Sequence, residues 1–195
     1  MNIFFTSDTH FYHQNIIKFA GRPFYTDFEM NENMIVQWNS VVQDTDTIYH
    51  LGDFSFGNGA QNKELGAQLN GHKYLCIGSH DKQVPNGVFE DIKDSYMIHF
   101  NNDIGNDQHI FMSHYLHKIW PISHYDSWHL FGHSHGRMND YASVEGKLLD
   151  VGVDSHNFTP WRLDEVIEVM KTRPMNFNSL QKKHEDRHKE LTERK

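Results

Sequence analysis

Five stretches of the chain bring carboxylate, imidazole and hydroxyl groups together directly after an apolar run. They are Asp8-Thr9-His10, Gly52-Asp53, Gly78-Ser79-His80-Asp81, His114, and His133-Ser134-His135. Aspartate with several histidines and no thiolate is an oxygen and nitrogen ligand set suited to manganese, iron, zinc or nickel, whereas magnesium and calcium favour oxygen alone. In Asp8-x-His10 and His133-x-His135 the paired residues are two apart, which in an extended segment puts both on one side and lets both reach one centre. Asp8, His10, Asp53, His114, His133 and His135 are more ligands than one ion usually takes, and a carboxylate on a central strand can bridge two. The natural outcome is a pair of divalent cations ~3.5 to 4 Å apart.

The runs that must position these groups are short and β-rich: NIFFTS, DTIYHL, KYLCI, HIFMS, WHLFG and LLDVGV. Between the first two, DFEMNENMIVQWNSVV has Met30, Met34, Ile35, Trp38, Val41 and Val42 at helical spacing, with Asp27 as the N-cap. AQNKELGAQLNG predicts a further helix that stops near Gly71. Strands alternating with helices indicate α/β architecture. Ligand sites in open α/β sheets gather beyond the carboxyl ends of strands, so the five clusters converge if their strands share one sheet edge.

At 195 residues the chain suits one domain with a tail. The expected division is a domain over 1–171 and a charged helix or tail over 172–195, where Glu185 and Lys189 are spaced for an ion pair. A net charge of -8 disfavours a nucleic acid polymer as partner, because gripping phosphates needs an excess of Lys and Arg. The single Cys76 excludes an intramolecular disulfide, fits a reducing compartment, and in its apolar run reads as a buried structural thiol. The start MNIFFTSD predicts neither a secretory signal nor a membrane helix, so the expected location is cytoplasmic with no membrane partner.

The motifs, in order SDTH, LGDFS, GSHD, MSHY and FGHSH, resemble those of the calcineurin-like metallophosphoesterases over about residues 3 to 155, and specifically a short bacterial and phage branch of that family. The resemblance implies two mixed β-sheets packed face to face and flanked by helices. It puts Asp8, His10, Asp53 and His135 on a first metal, with Asp53 bridging to a second that also takes His114 and His133. Where the family has an asparagine ligand this chain has Ser79, which implies a weakened second site. His80 matches the catalytic histidine and Asp81 the carboxylate that orients it. The implied reaction is in-line attack on phosphorus by a metal-bound hydroxide, with His80 as imidazolium protonating the leaving oxygen.

The function expected from these residues is hydrolysis of a phosphomonoester or phosphodiester of a small molecule, a nucleotide in the leading version. The cofactors would be two divalent ions, manganese first, with iron, zinc and nickel as alternatives. A nuclease and a metal-impaired interaction module are the competing readings. For substrate binding the candidates are His13, Asn15, Arg22 and Arg137, with Asp154 and His156 at the rim and His50 supporting the Asp53 loop. His72, His99, His109, His117, His129, His184 and His188 read as surface or structural histidines, and Pro160 and Trp161 as packing.

Overall fold

The computed structural model describes residues 1–81, 87–101, 107–181 and 183. The predicted ion pair of Glu185 and Lys189, together with His184 and His188, lies outside the described residues. Nine strands are arranged in two mixed sheets, with five α-helices among the described residues. The first sheet has β1 (Ile3–Thr6), β2 (Thr47–His50), β3 (His72–Cys76) and β4 (Asp91–Lys93) running parallel, with β9 (Trp161–Arg162) antiparallel on β1. In the second, β5 (Ser95–Asn101) pairs antiparallel with β6 (Asp107–Ser113), and β7 (Trp128–Phe131) and β8 (Leu148–Asp150) continue parallel. The six strands expected from the apolar runs are all present. Two mixed sheets are what the motif resemblance implied; the clusters converge not along one sheet edge but between the two sheets, which are joined by a parallel bridge between Ser7 and Gly152 just past the ends of β1 and β8.

Alternation of side chains along each strand explains the layering. Phe4, Ile48 and Leu75 face a core shared with α1 (Gln14–Ala20), α2 (Asp27–Val41) and α3 (Gly59–Gln68). Their neighbours Phe5 and Cys76 face the other way, onto Ile110, Met112 and Leu130 of the second sheet and Val166 and Met170 of α5 (Leu163–Thr172). Phe111 and Phe131 face outward again, onto Ala142 of α4 (Asn139–Glu145). Cys76 is buried between the sheets, where burial pushes its thiol up to about 12, as a structural thiol should behave.

Met30, Met34 and Trp38 form the buried stripe of α2, and each such side chain stabilises the fold by roughly 1.5 to 3 kcal/mol. The predicted cap is displaced by one residue, since Thr26, not Asp27, accepts the Glu29 N–H at 3.1 Å. Asp27 opens the helix instead, where its charge suits the helix N-terminus. The expected break at 171 falls inside packed chain. Asn176 is buried, donates to the carbonyls of Ser123 and Ser127 at 2.9 and 3.0 Å, and accepts from Lys147 N–H; Ser179 donates to Asp126 at 2.7 Å. Among the described residues no helix is long and apolar enough to cross a membrane.

Candidate metal centre

The carboxyl ends of β1, β2, β6 and β7 deliver six of the predicted ligands as two triads: Asp8, His10 and His135, and Asp53, His114 and His133. Within each triad the ligand atoms lie within 4.8 Å of one another. Asp53 lies between them: its Oδ2 is 3.6 Å from His10 Nε2 and 3.5 Å from His114 Nε2.

An extended backbone is not what aims these side chains. Asp8, His10, Asp53, His133 and His135 all have positive φ, from 48° to 66°. Aspartate and histidine tolerate this region better than most residues, and each such position still costs on the order of 1 to 3 kcal/mol unless its surroundings enforce it. Here the enforcement is hydrogen bonding between strand ends. Asp8 N–H donates to Gly52 O at 2.9 Å, His10 N–H to Asp53 O at 3.0 Å, and His133 N–H to Asp8 Oδ2 at 2.8 Å. The loops cross so closely that Gly52, Gly78 and Gly132 leave no room for a side chain. A Cβ at Gly132 would meet Asp8 Oδ2 at 2.5 Å, and Gly52, at φ 98°, would put one 2.6 Å from His114 Nδ1.

Several buried polar atoms of the triads have no hydrogen-bond partner. Asp8 Oδ1, His10 Nδ1 and Nε2, and His114 Nε2 are buried and make no hydrogen bond. Such groups are costly to leave unmade, and a bound cation satisfies them. The opposite ring atoms are oriented from behind: His114 Nδ1 lies 2.8 Å from Leu51 O, and His135 Nδ1 lies 2.7 Å from Asp154 Oδ2. This is the arrangement by which metal-binding histidines are held in one tautomer. The donor set fits two small divalent ions.

The electrostatics agree with that fit. Burial pushes Asp8 up to about 7, the cost of a buried carboxylate whose charge a cation beside it would offset. Burial also lowers His10, to about 2, which keeps its imidazole neutral as a ligand must be. Asp53 is pulled up by burial, but the His114 imidazole 3.5 Å away holds it below the carboxylate range. Burial opposes charge on His114 and His135 too, yet facing Asp53 and Asp154 respectively they end above their usual value. His133 is lowered by burial.

The remaining candidates are distributed unevenly. Ser79 reaches the site but donates its hydroxyl to both oxygens of Asp53, at 3.1 and 3.0 Å, so the predicted ligand holds the carboxylate between the triads. His80 is exposed at the cavity, and its N–H also donates to Asp53, at 2.9 Å. The role expected for Asp81 is overturned. Its two oxygens accept the N–H groups of Asp53, Phe54 and Gly78 at 2.8, 2.8 and 2.7 Å, so Asp81 ties two strand-end loops together and does not orient the His80 ring.

Arg22 is corrected likewise. Its guanidinium is buried, paired with Asp154 at 2.8 and 2.9 Å, and donates to the carbonyls of Asp8 and Thr9 at 2.6 and 2.9 Å, which leaves it for the scaffold and not for substrate. The left-handed Gly21, at φ 68°, ends α1 and turns the chain toward this position. Asn15 is exposed on α1 and does not line the cavity, whereas His13 and Arg137 do. Asp154 stands behind His135. His156 stacks on Trp161 at 3.8 Å and is removed from the triads. His50 supports the first loop through Thr9 Oγ1, 2.9 Å away. Sequence reasoning missed Phe19 and Phe56, which line the same cavity; their apolar type gave no chemical signal.

Fold and site together define a two-sheet α/β protein with paired histidine and carboxylate triads at converging strand ends. No family model matches the chain. The chain belongs to the family of the uncharacterized protein MJ1445 of Methanocaldococcus jannaschii, to which it is 33% identical over 175 residues that cover 87% of this chain and 91% of that protein. The Gene 66 protein of Mycobacterium phage L5 is 26% identical over 182 residues, 79% of this chain and 87% of the phage protein. A crystal structure of the protein of unknown function AQ665 from Aquifex aeolicus covers 86% of this chain and 98% of its own, with a TM-score of 0.64 at 24% identity, and so shares the fold.

Proposed function

We propose that this chain is a metal-dependent phosphoesterase acting on a small phosphorylated molecule, a nucleotide in the leading version, and that it is one of the calcineurin-like metallophosphoesterases its motifs resemble. One observation carries the reading: buried ligand atoms without protein partners, Asp8 Oδ1, His10 Nε2 and His114 Nε2, converge with Asp53 Oδ2 between two triads. Two divalent ions, manganese first and iron, zinc or nickel as alternatives, would supply a water of lowered pKa and neutralise charge on the phosphoryl oxygens. Asp8, His10 and His135 would hold one, His114 and His133 the other, and Asp53 both. Ser79 steadies Asp53 through its hydroxyl and, not being free to ligate, would leave a second ion the more weakly held of the two. His80, exposed beside Asp53, is the group that gives the leaving oxygen its proton. A single buried thiol supports a reducing, cytoplasmic setting.

The test is metal content of the purified protein, followed by rates on 4-nitrophenyl phosphate and bis(4-nitrophenyl) phosphate with manganese, iron, zinc, nickel and magnesium in turn. Stoichiometric metal and metal-dependent hydrolysis are expected. Metal bound without hydrolysis of either ester would favour a non-catalytic module, and faster cleavage of a polynucleotide would favour a nuclease. His80→Ala should retain metal and lose more rate on an alkyl phosphate than on a nitrophenyl ester, whose leaving oxygen needs less protonation. Equal losses on both esters would remove His80 as the acid.

A further inference from the structure

The cavity over the triads, about 460 Å³, is lined on part of its wall by groups the chemistry above does not use: Ile16, Phe19 and Phe56. Phe56 and Phe19 are 43% and 65% exposed, although Phe11 and Phe54 close by in sequence are wholly buried. Phe56 lies 4.7 Å from the His80 ring and stacks on His13 at 3.8 Å and 20°, and His13 meets Phe19 edge-on at 6.5 Å. A continuous row of rings thus begins at the proposed acid and runs out along the cavity. At its outer end the Arg137 guanidinium donates to the Phe19 carbonyl at 3.2 Å, beside the last ring. An exposed apolar surface adjoining a polar site marks a place where something apolar binds.

We propose that the leaving group of the substrate carries a flat aromatic ring system of nucleobase type, which packs on Phe56, His13 and Phe19. This rests on the phosphoesterase reading, in which a water oxygen bonds to phosphorus, the bond from phosphorus to the leaving oxygen breaks, and His80 gives that oxygen its proton. Because Phe56 is the neighbour of His80, the rings flank the departing side of the phosphorus and not the side of attack. The lining suits a single nucleotide better than a polymer. Arg137 is the one Lys or Arg among the described residues that line the cavity, whereas a polyanion is gripped by several cations along its backbone.

The experiment compares KM for esters with and without a ring: adenosine 5′-monophosphate against glycerol 3-phosphate, and adenosine 2′,3′-cyclic phosphate against glycerol 1,2-cyclic phosphate. The ring-bearing member should have the lower KM. Phe56→Ala and Phe19→Ala should each shrink that ratio by roughly 5- to 100-fold, the range that one base-stacking contact supplies. Phe19 sits on the exposed side of α1, so its variant remains informative if Phe56→Ala disturbs His13 and His80. Equal KM values in the unaltered protein, or a ratio that neither variant changes, would overturn the proposal. Calorimetric binding of adenosine 5′-monophosphate against inorganic phosphate separates the two readings. A preference for the nucleotide that Phe19→Ala removes, with no ester hydrolysed, would leave the ring site standing and remove the phosphoesterase. Hydrolysis with no such preference would remove the ring site alone.

Discussion

The two triads share a chemistry and differ in what stands behind them. In the first, Asp8 and His10 are buried, and His135 is backed by Asp154, which is itself clamped by Arg22, a side chain whose other N–H groups hold the Asp8 and Thr9 carbonyls. In the second, Asp53 and His114 are buried, but His133 is exposed, and the hydroxyl of Ser79 is directed at Asp53. One half of the site is thus braced from behind by an ion pair, and the other opens to solvent at His133. The lesson is that two triads of the same ligand types need not bind alike: on the proposed metal reading the first would hold its ion more tightly than the second, because affinity depends on what orients the ligands as well as on the ligands.

Breaking the support of the first triad should have the largest effect. Asp154→Ala leaves the Arg22 guanidinium buried without its carboxylate, and removing one partner of a buried pair costs about 3 to 5 kcal/mol. A denaturant titration of the metal-free protein should show a loss of that size, and an unchanged midpoint would mean that Arg22 is satisfied by the two carbonyls alone. Acid is a milder way to break the same contact. Burial opposes the Asp154 carboxylate, but the hydrogen bonds from His135 and Arg22 hold it at about 2, below its ordinary 3.8. The stability that this group contributes is therefore fully present above pH ~4 and is lost as pH falls toward ~2, by on the order of 2 kcal/mol. The Asp154→Ala protein should lack that part of the acid transition.

Removing the carboxylate between the triads should erase the difference between them. Asp53→Asn is expected to lower metal content at both sites, by about 10- to 100-fold in affinity, whereas His10→Ala acts mainly on the first. Metal per chain after gel filtration decides this, and equal losses in the two variants would remove the bridging role. The smallest change sharpens the contrast. Ser79→Ala takes away a hydroxyl that touches both Asp53 oxygens and should weaken the second ion by up to about tenfold while the first is retained. Coincident metal titrations of the two forms would show that Asp53 needs no help from Ser79.

Much of the site was legible because the ligands keep to strand ends and are chemically distinctive. The short apolar runs located β1, β2, β3, β6, β7 and β8, and the residues shortly after four of them, β1, β2, β6 and β7, hold all six triad ligands. What escaped was the structure lacking a local pattern. The three residues of β4 and two of β9 are too short for alternation to register, and β5 alternates between half-buried and exposed positions along the edge of its sheet, without the apolar run of a central strand. Arg22 resembled an anion-binding residue from its type, yet its partner Asp154 is 132 residues away. Asp81, next to His80 in the chain, directs its oxygens at a different strand's loop.

By itself the sequence determined which groups can bind metal, in what order they occur, and that each follows a strand, because residue type and hydrophobic periodicity are local properties. Only the tertiary structure decided how they divide. The crossing of strand-end loops from two sheets sorts six ligands into two triads, and the left-handed backbone at Asp8, His10, Asp53, His133 and His135 turns their side chains inward. That conformation is unfavourable for an isolated residue and is held by hydrogen bonds to loops distant in the chain, such as Asp8 N–H to Gly52 O and His133 N–H to Asp8 Oδ2. The physical reason for the division is that the first of these contacts needs β1 and β2 paired, and the second exists only once both sheets have packed.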